Sequence, residues 1–145
     1  MAVKPIPDGY HSFTPYYVVD GAAAFIEFLK QAFGGAESFR MPMPDGKLGH
    51  AEVRIGDSVL MLADQSPQFP AKPMQGMLYV KDVDAVFAQA IAAGGTSVRP
   101  LENQFYGDRT GGVTDRWGNY WTVATHVEDV APEEMERRMK AQKHG

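Results

Sequence analysis

His50 and Glu52 stand two residues apart in "LGHAEVRI", the spacing that puts two side chains on one face of a β-strand. An imidazole and a carboxylate placed this way can serve as an acid/base pair. They can also give two ligands to a divalent metal, with His11 and His126 as available third donors. The same alternation sends Ala51, Val53 and Ile55 to the opposite face, under a helix, and keeps Arg54 with the polar set. The competing, purely structural role pairs Glu52 with Arg54 or Arg116 and leaves His50 bonded within the sheet. A second cluster lies in "NQFYGDR", where Gln104, Tyr106, Asp108 and Arg109 gather around Gly107. The planar fork of Arg109 could grip a ligand carboxylate or phosphate. Its structural alternative is a contact with Asp108, or a bridge to Asp115, that fixes the loop. Of the many aromatic side chains, alternation puts Tyr16 and Tyr120 on the polar face, where they could stack on a flat ligand.

Composition removes several other chemistries. The 145 residues include no cysteine, which excludes disulfides, thiolate zinc sites and cysteine nucleophiles. A net charge of -4, with no run of Lys or Arg before the tail, argues against a nucleic-acid partner. The start "MAVKPIPDGYHSF" has no signal-peptide core and no stretch could span a bilayer, so a cytoplasmic protein without a membrane partner is expected. "GDRTGG" lacks the Gly-Lys-Ser/Thr ending of a phosphate loop, and no Gly-x-Ser-x-Gly is present.

The elements that must position these residues follow from periodicity. Phe25, Phe28, Leu29, Ala32 and Phe33 mark one amphipathic helix, and Val83, Val86, Phe87, Ala90 and Ile91 mark another. Each ends in Gly-Gly and follows a strand-like run, "FTPYYVV" or "MLYV". After the first helix come strand candidates at 36–41, 48–55 and 58–63, and after the second at 96–101, 109–114 and 120–125. The chain therefore reads as one α+β domain over 1–145, made of two tandem βαβββ modules at 10–65 and 75–126. A Pro-rich linker at 66–74 joins them, and a C-terminal helix covers 127–145. Sliding the halves by 62 residues superposes Tyr17 on Tyr79, Asp20 on Asp82, Gly49 on Gly111 and Gly56 on Gly118, which reads as an internal duplication. Neither half is large enough to bury much surface alone. In the tail, Met135 and Met139 form a thin apolar stripe expected to dock on the body or a partner chain.

Paired modules with the stretches "TPYYVVDGAAAFIEFLKQAFGGAE", "PDGKLGHAEVRIGDSVLMLAD", "YVKDVDAVFAQAIAAGG" and "QFYGDRTGGVTDRWGNYWTVATH" resemble the vicinal oxygen chelate superfamily, in particular the PhnB-like group of glyoxalase/bleomycin-resistance proteins. The resemblance implies the glyoxalase/bleomycin-resistance/dioxygenase fold, a cleft against curled sheets, and a homodimer. In the metal enzymes of that superfamily one ligand sits on the first and last strand of each module. Those positions correspond here to Thr14 (or its neighbour Phe13), Met61, Gln75 and Thr122. Two threonines, a thioether and an amide offer no anionic donor and no imidazole, so no cofactor and no metal ligand are expected. Met61, Gln75 and Thr122 are instead expected to touch a ligand, together with Tyr16, Gln104, Tyr106, Asp108, Arg109 and Tyr120.

The expected function is a metal-independent small-molecule binder that sequesters or carries its ligand in a cleft formed by the paired modules. The alternative is a lyase, isomerase or dioxygenase of the vicinal oxygen chelate type, using a displaced divalent metal or His50 and Glu52 as catalytic acid and base. Glyoxalase I activity is not expected from the lost ligand quartet.

Overall fold

A computed structural model describes residues 2–142, and the chain divides into two compact units, 1–74 and 75–145. The first unit contains β1 (Tyr16–Val19), α1 (Ala22–Phe33), β2 (Ala36–Pro42), β3 (Leu48–Ile55) and β4 (Ser58–Asp64). The second contains β5 (Gln75–Tyr79), α2 (Val83–Ala92), β6 (Thr96–Asn103), β7 (Asp108–Thr114), β8 (Tyr120–His126) and α3 (Pro132–Gln142). Both sheets have the same strand order, β1-β4-β3-β2 and β5-β8-β7-β6, with the first and last strand of each unit paired in parallel. This is the α+β, tandem βαβββ architecture with a C-terminal helix. Residues 143–145, the end of the expected helix, lie outside the described residues.

In the first unit, α1 buries Phe25, Ile26, Leu29 and Ala32 completely. They meet Ala51, Val53 and Leu62, whose exposure is also 0%. Each large apolar side chain so buried stabilises the unit by about 2 kcal/mol. α1 starts at Gly21 with no side-chain cap of its own. The Asp64 carboxylate supplies the missing acceptor, taking the N–H groups of Gly21 at 2.9 Å and Ala22 at 2.8 Å. Its second oxygen accepts from Leu48 N–H at 2.8 Å, which ties the helix start to two strands. At the other end Gly34, with φ 68°, turns the chain out of the helix as its N–H and that of Gly35 bond the carbonyls of Lys30 and Leu29.

The second unit is built on the same plan with smaller side chains. Asp82 caps α2 by accepting from Ala85 N–H at 3.2 Å, and the Thr125 hydroxyl takes Val83 N–H at 2.9 Å, the job that Asp64 does in the first unit. α2 buries only Val83 and Ala90. Phe87 reaches the sheet because Gly111 leaves it room; a Cβ there would stand 2.6 Å from the ring.

The uniform slide of 62 residues does not give the structural equivalence. Strand register alone fits 61 or 62, since Tyr17 pairs with Leu62, Leu78 with Val123 and Tyr79 with Ala124. Tyr17 is buried on Phe25 while Tyr79 is not buried, so Tyr17 corresponds to Leu78, at 61. Tyr79 instead points away from α2 and is 56% exposed. Val53 lies against Gly35 and Val113 against Gly95, so β3 and β7 correspond at 60. The reason is compensating length changes: α2 has 10 residues against 12 in α1, and the β7–β8 turn is longer than the β3–β4 turn. Identities in the turns therefore fall back to 62 while the strands between them do not.

α3 buries no residue, and Met139 is 52% exposed. Arg138 tethers it within the second unit, donating to the Phe105 carbonyl at 3.2 Å and pairing with Glu128 at 2.7 Å.

Candidate functional site

On the sheet face opposite α1, register aligns Tyr16 with Met61, Met61 with Glu52, and Glu52 with Phe39 across all four strands. His50, one step along β3, completes a polar chain on this surface. Its Nε2 lies 2.8 Å from a Glu52 oxygen and its Nδ1 lies 2.9 Å from the Tyr16 hydroxyl. The other Glu52 oxygen accepts from the Tyr10 hydroxyl. The rings of Tyr16 and Phe39 stand 5.5 and 5.9 Å from the imidazole and hold it from two sides. Burial pushes the Glu52 carboxyl up, but hydrogen bonds from Tyr10 and His50 outweigh it and hold the group below the usual carboxylate range. Burial and the nearby Glu52 charge raise the Tyr16 phenol, which stays protonated. An ionised carboxylate only accepts, so Nε2 carries a proton, and in the neutral imidazole Nδ1 accepts from Tyr16. In that tautomer the hydrogen bonds run in one direction, from Tyr16 through His50 to Glu52. Arg54 takes no part in this chain and reaches the Gly9 carbonyl at 3.4 Å.

Beside this relay the first unit forms a half-open cavity of about 900 Å³. Tyr16, Val18, Leu48 and Ala63 form its floor on the sheet, and Met43 and Phe69 rise around it from the β2–β3 turn and the segment after β4. Asp45, Lys47, Asp64, Gln65 and Ser66 supply the polar part of the lining. Asp64 has its oxygens filled by backbone N–H groups. Burial raises its carboxyl, but the bonds from Leu48, Ala22 and Gly21 bring it below the usual range. A volume of this size matches the clefts that hold drug-sized ligands. Tyr16 belongs to both the cavity wall and the relay.

The remaining sequence-predicted residues lie in the second unit. Gln75, Tyr120 and Thr122 share the sheet face away from α2, with Gln75 opposite Tyr120 and Thr122 opposite Met77. Asp108 is on that face, 3% exposed, accepting from Tyr79 at 2.6 Å and lying 2.8 Å from His126 Nδ1. The other nitrogen of His126 lies 2.7 Å from Asp129, and hydrogen bonds to Asp108 and Asp129 raise the imidazole above its ordinary value. Gln104 donates to Thr110 at 3.0 Å, and Tyr106 sets its ring edge-on to Phe105. Arg109 lies on the opposite side, with α2. It pairs with Asp84 at 2.7 Å and donates to Asn103 at 3.2 Å, so neither Asp108 nor Asp115 is its partner. Asp115 is filled by its own turn, accepting from the backbone of Trp117 and Asn119, the Asn119 amide and the Trp121 indole.

Three participants escaped the sequence reading. Tyr10 precedes the first strand and carries no periodic signal. Tyr79 was placed by the 62-residue slide with the buried Tyr17. Asp64 had a legible cue, because a helix opening on glycine without a side-chain cap must draw an acceptor from elsewhere.

The positions that the resemblance implies for metal ligands do not fit a metal here. Thr14 and Met61 in the first unit, and Gln75 and Thr122 in the second, present no carboxylate and no imidazole. Among the described residues, no group of three or more His, Cys, Asp or Glu could hold a metal ion.

Comparison with known proteins gives a consistent result. The family model for the Glyoxalase/Bleomycin resistance protein/Dioxygenase superfamily matches residues 10–123. The uncharacterized protein Mb0911c of Mycobacterium bovis is 39% identical over the whole of both chains. Among solved structures, the PhnB protein of Bacillus cereus has a TM-score of 0.64 at 18% identity, covering 79% of this chain and 99% of that one. TnmS3, described as an antibiotic binding protein from Streptomyces sp. CB03234, has a TM-score of 0.62 at 22% identity, covering 80% of this chain and 97% of that one.

Proposed function

The chain belongs to the Glyoxalase/Bleomycin resistance protein/Dioxygenase superfamily, and from that premise we propose that it is a metal-independent small-molecule binder. Its ligand site is the cavity of the first unit, and its role is sequestration or carriage. The observation that carries this reading is the cavity itself: about 900 Å³, walled mainly by apolar and aromatic side chains, with a few polar groups at one side. The donor set at the metal positions supports the metal-independent part. TnmS3, which shares the fold, is described as an antibiotic binding protein, in keeping with a small organic ligand.

A thermal-shift screen of aromatic compounds against the wild-type chain and Val18→Trp tests this. Val18 lies on the first strand and lines the cavity, so an indole there fills the space. Compounds that stabilise the wild type and not Val18→Trp support the proposal. Equal stabilisation of both proteins contradicts it.

One observation favours a second reading. The relay from Tyr16 through His50 to Glu52 is an acid/base arrangement, as a lyase or isomerase of this superfamily would need. A compound that binds His50→Ala as well as wild type, but is converted only by wild type, would establish it. We also propose a cytoplasmic homodimer as the assembled form. Light scattering at twice the chain mass supports that assembly, and elution at the single-chain mass contradicts it. No helix among the described residues is long and apolar enough to cross a membrane.

A further inference from the structure

The direction of the hydrogen bonds around His50 restricts what the cavity can accept, given that the cavity is the binding site proposed above. Glu52 is 9% exposed and, as a carboxylate, has only acceptor oxygens. Tyr10 donates to one of them, and His50 Nε2, at 2.8 Å, must donate to the other. With the imidazole neutral, His50 Nδ1 is left as an acceptor, and the Tyr16 hydroxyl lies 2.9 Å from it. A phenol has one proton, and Tyr16 spends it on His50. Tyr16 also lines the cavity, and with its proton so used its hydroxyl has only oxygen lone pairs left for a ligand.

We propose that the cavity selects aromatic ligands bearing a hydroxyl, whose hydrogen is accepted by the Tyr16 oxygen. Glu52 and His50 are positioning residues that set this polarity without touching the ligand. A ligand that offers only an acceptor at that point, such as an ether or a ketone, meets lone pair against lone pair and leaves the free Tyr16 lone pairs without a donor in the bound state. The apolar floor of Val18, Leu48 and Ala63 binds the ring of either kind, so the discrimination comes from one hydrogen bond.

The test compares 2-naphthol with 2-methoxynaphthalene, a pair that differs by replacing the donor hydrogen with a methyl group. Dissociation constants are measured by fluorescence for wild type, Tyr16→Phe, Glu52→Gln and Val18→Trp. The expected wild-type preference for naphthol, relative to that of Tyr16→Phe, is about five- to tenfold, the effect of one hydrogen bond. Tyr16 is 41% exposed on the first strand, so its loss of a hydroxyl leaves the core intact. In Glu52→Gln the amide can donate to Nε2, the imidazole proton moves to Nδ1, and Tyr16 is free to donate outward. The preference should then shrink or reverse, a change that mere loosening of the sheet would not cause.

Two results overturn the inference in distinguishable ways. If both probes bind, Val18→Trp blocks both, and the naphthol preference is the same in wild type and Tyr16→Phe, the polarity claim fails and the cavity reading stands. If neither probe binds, or Val18→Trp binds them as wild type does, the cavity reading fails and takes the polarity claim with it.

Discussion

Asp64 shows how one carboxylate can serve two strands and a helix. It takes three backbone N–H groups, and replacing it with Ala leaves them unpaired beside the cavity. Asp64→Ala should cost about 2 kcal/mol in urea unfolding, with α1 loosened first. The pH dependence follows from the sign of the shift. Both Asp64 and Glu52 have carboxyls held below their ordinary values in the folded chain, so their contribution is present above about pH 4–5 and is lost as pH falls through the folded values. Wild type should therefore lose stability on acidification more steeply than Asp64→Asn, measured by urea midpoints between about pH 6 and pH 3. His126 runs the other way. Its raised imidazole favours the folded state at low pH, and that contribution disappears as pH climbs through the folded value. An NMR titration should find His126 protonated to higher pH than a free imidazole, and Asp108→Asn should bring it down. Apart from the His50–Glu52 pair, none of these partners was visible from composition or spacing. His50 and Glu52 could be placed on one face because strand alternation fixes direction, but the identity of their partners depends on Tyr10 and Tyr16 arriving from distant segments.

At the scale of elements the sequence was readable almost throughout. Strands expected at 48–55 and 120–125 form as Leu48–Ile55 and Tyr120–His126, and the two helices end at their Gly-Gly pairs. Hydrophobic period and glycine stops are local properties, so they survive without knowledge of the tertiary fold. Equivalence between the halves did not survive, because shortening α2 and lengthening the β7–β8 turn shift the strands while turn identities stay in step. Arg109 illustrates a related limit: its residue type suggests anion recognition, yet its position on β7 turns it toward Asp84 at the start of α2. The small residues of the second unit also have a packing reason. Gly111 admits the Phe87 ring, and Gly111→Ala should destabilise by about 1–3 kcal/mol in thermal or urea unfolding, as overpacking does. The adjacent change Phe87→Leu should recover part of that loss by withdrawing the ring.

For the molecule as a whole, repeated βαβββ units and their turn sequences were enough to reach the superfamily, whereas the fold hosts too many activities to name one. The functional account rests on two features of different kinds. One is chemical, the lack of carboxylate or imidazole at Thr14, Met61, Gln75 and Thr122, the positions the resemblance implies for metal ligands. The other is geometric, the cavity of about 900 Å³ beside the Tyr16–His50–Glu52 relay, which depends on how the β2–β3 turn and the segment after β4 fold over the sheet. Isothermal titration of one cavity-bound aromatic compound, in EDTA and again after adding zinc, nickel, manganese or ferrous iron, decides whether binding is metal-independent. The account predicts the same affinity with and without metal, and its loss in Val18→Trp. Binding that appears only with a divalent metal, or that persists unchanged in Val18→Trp, would contradict it.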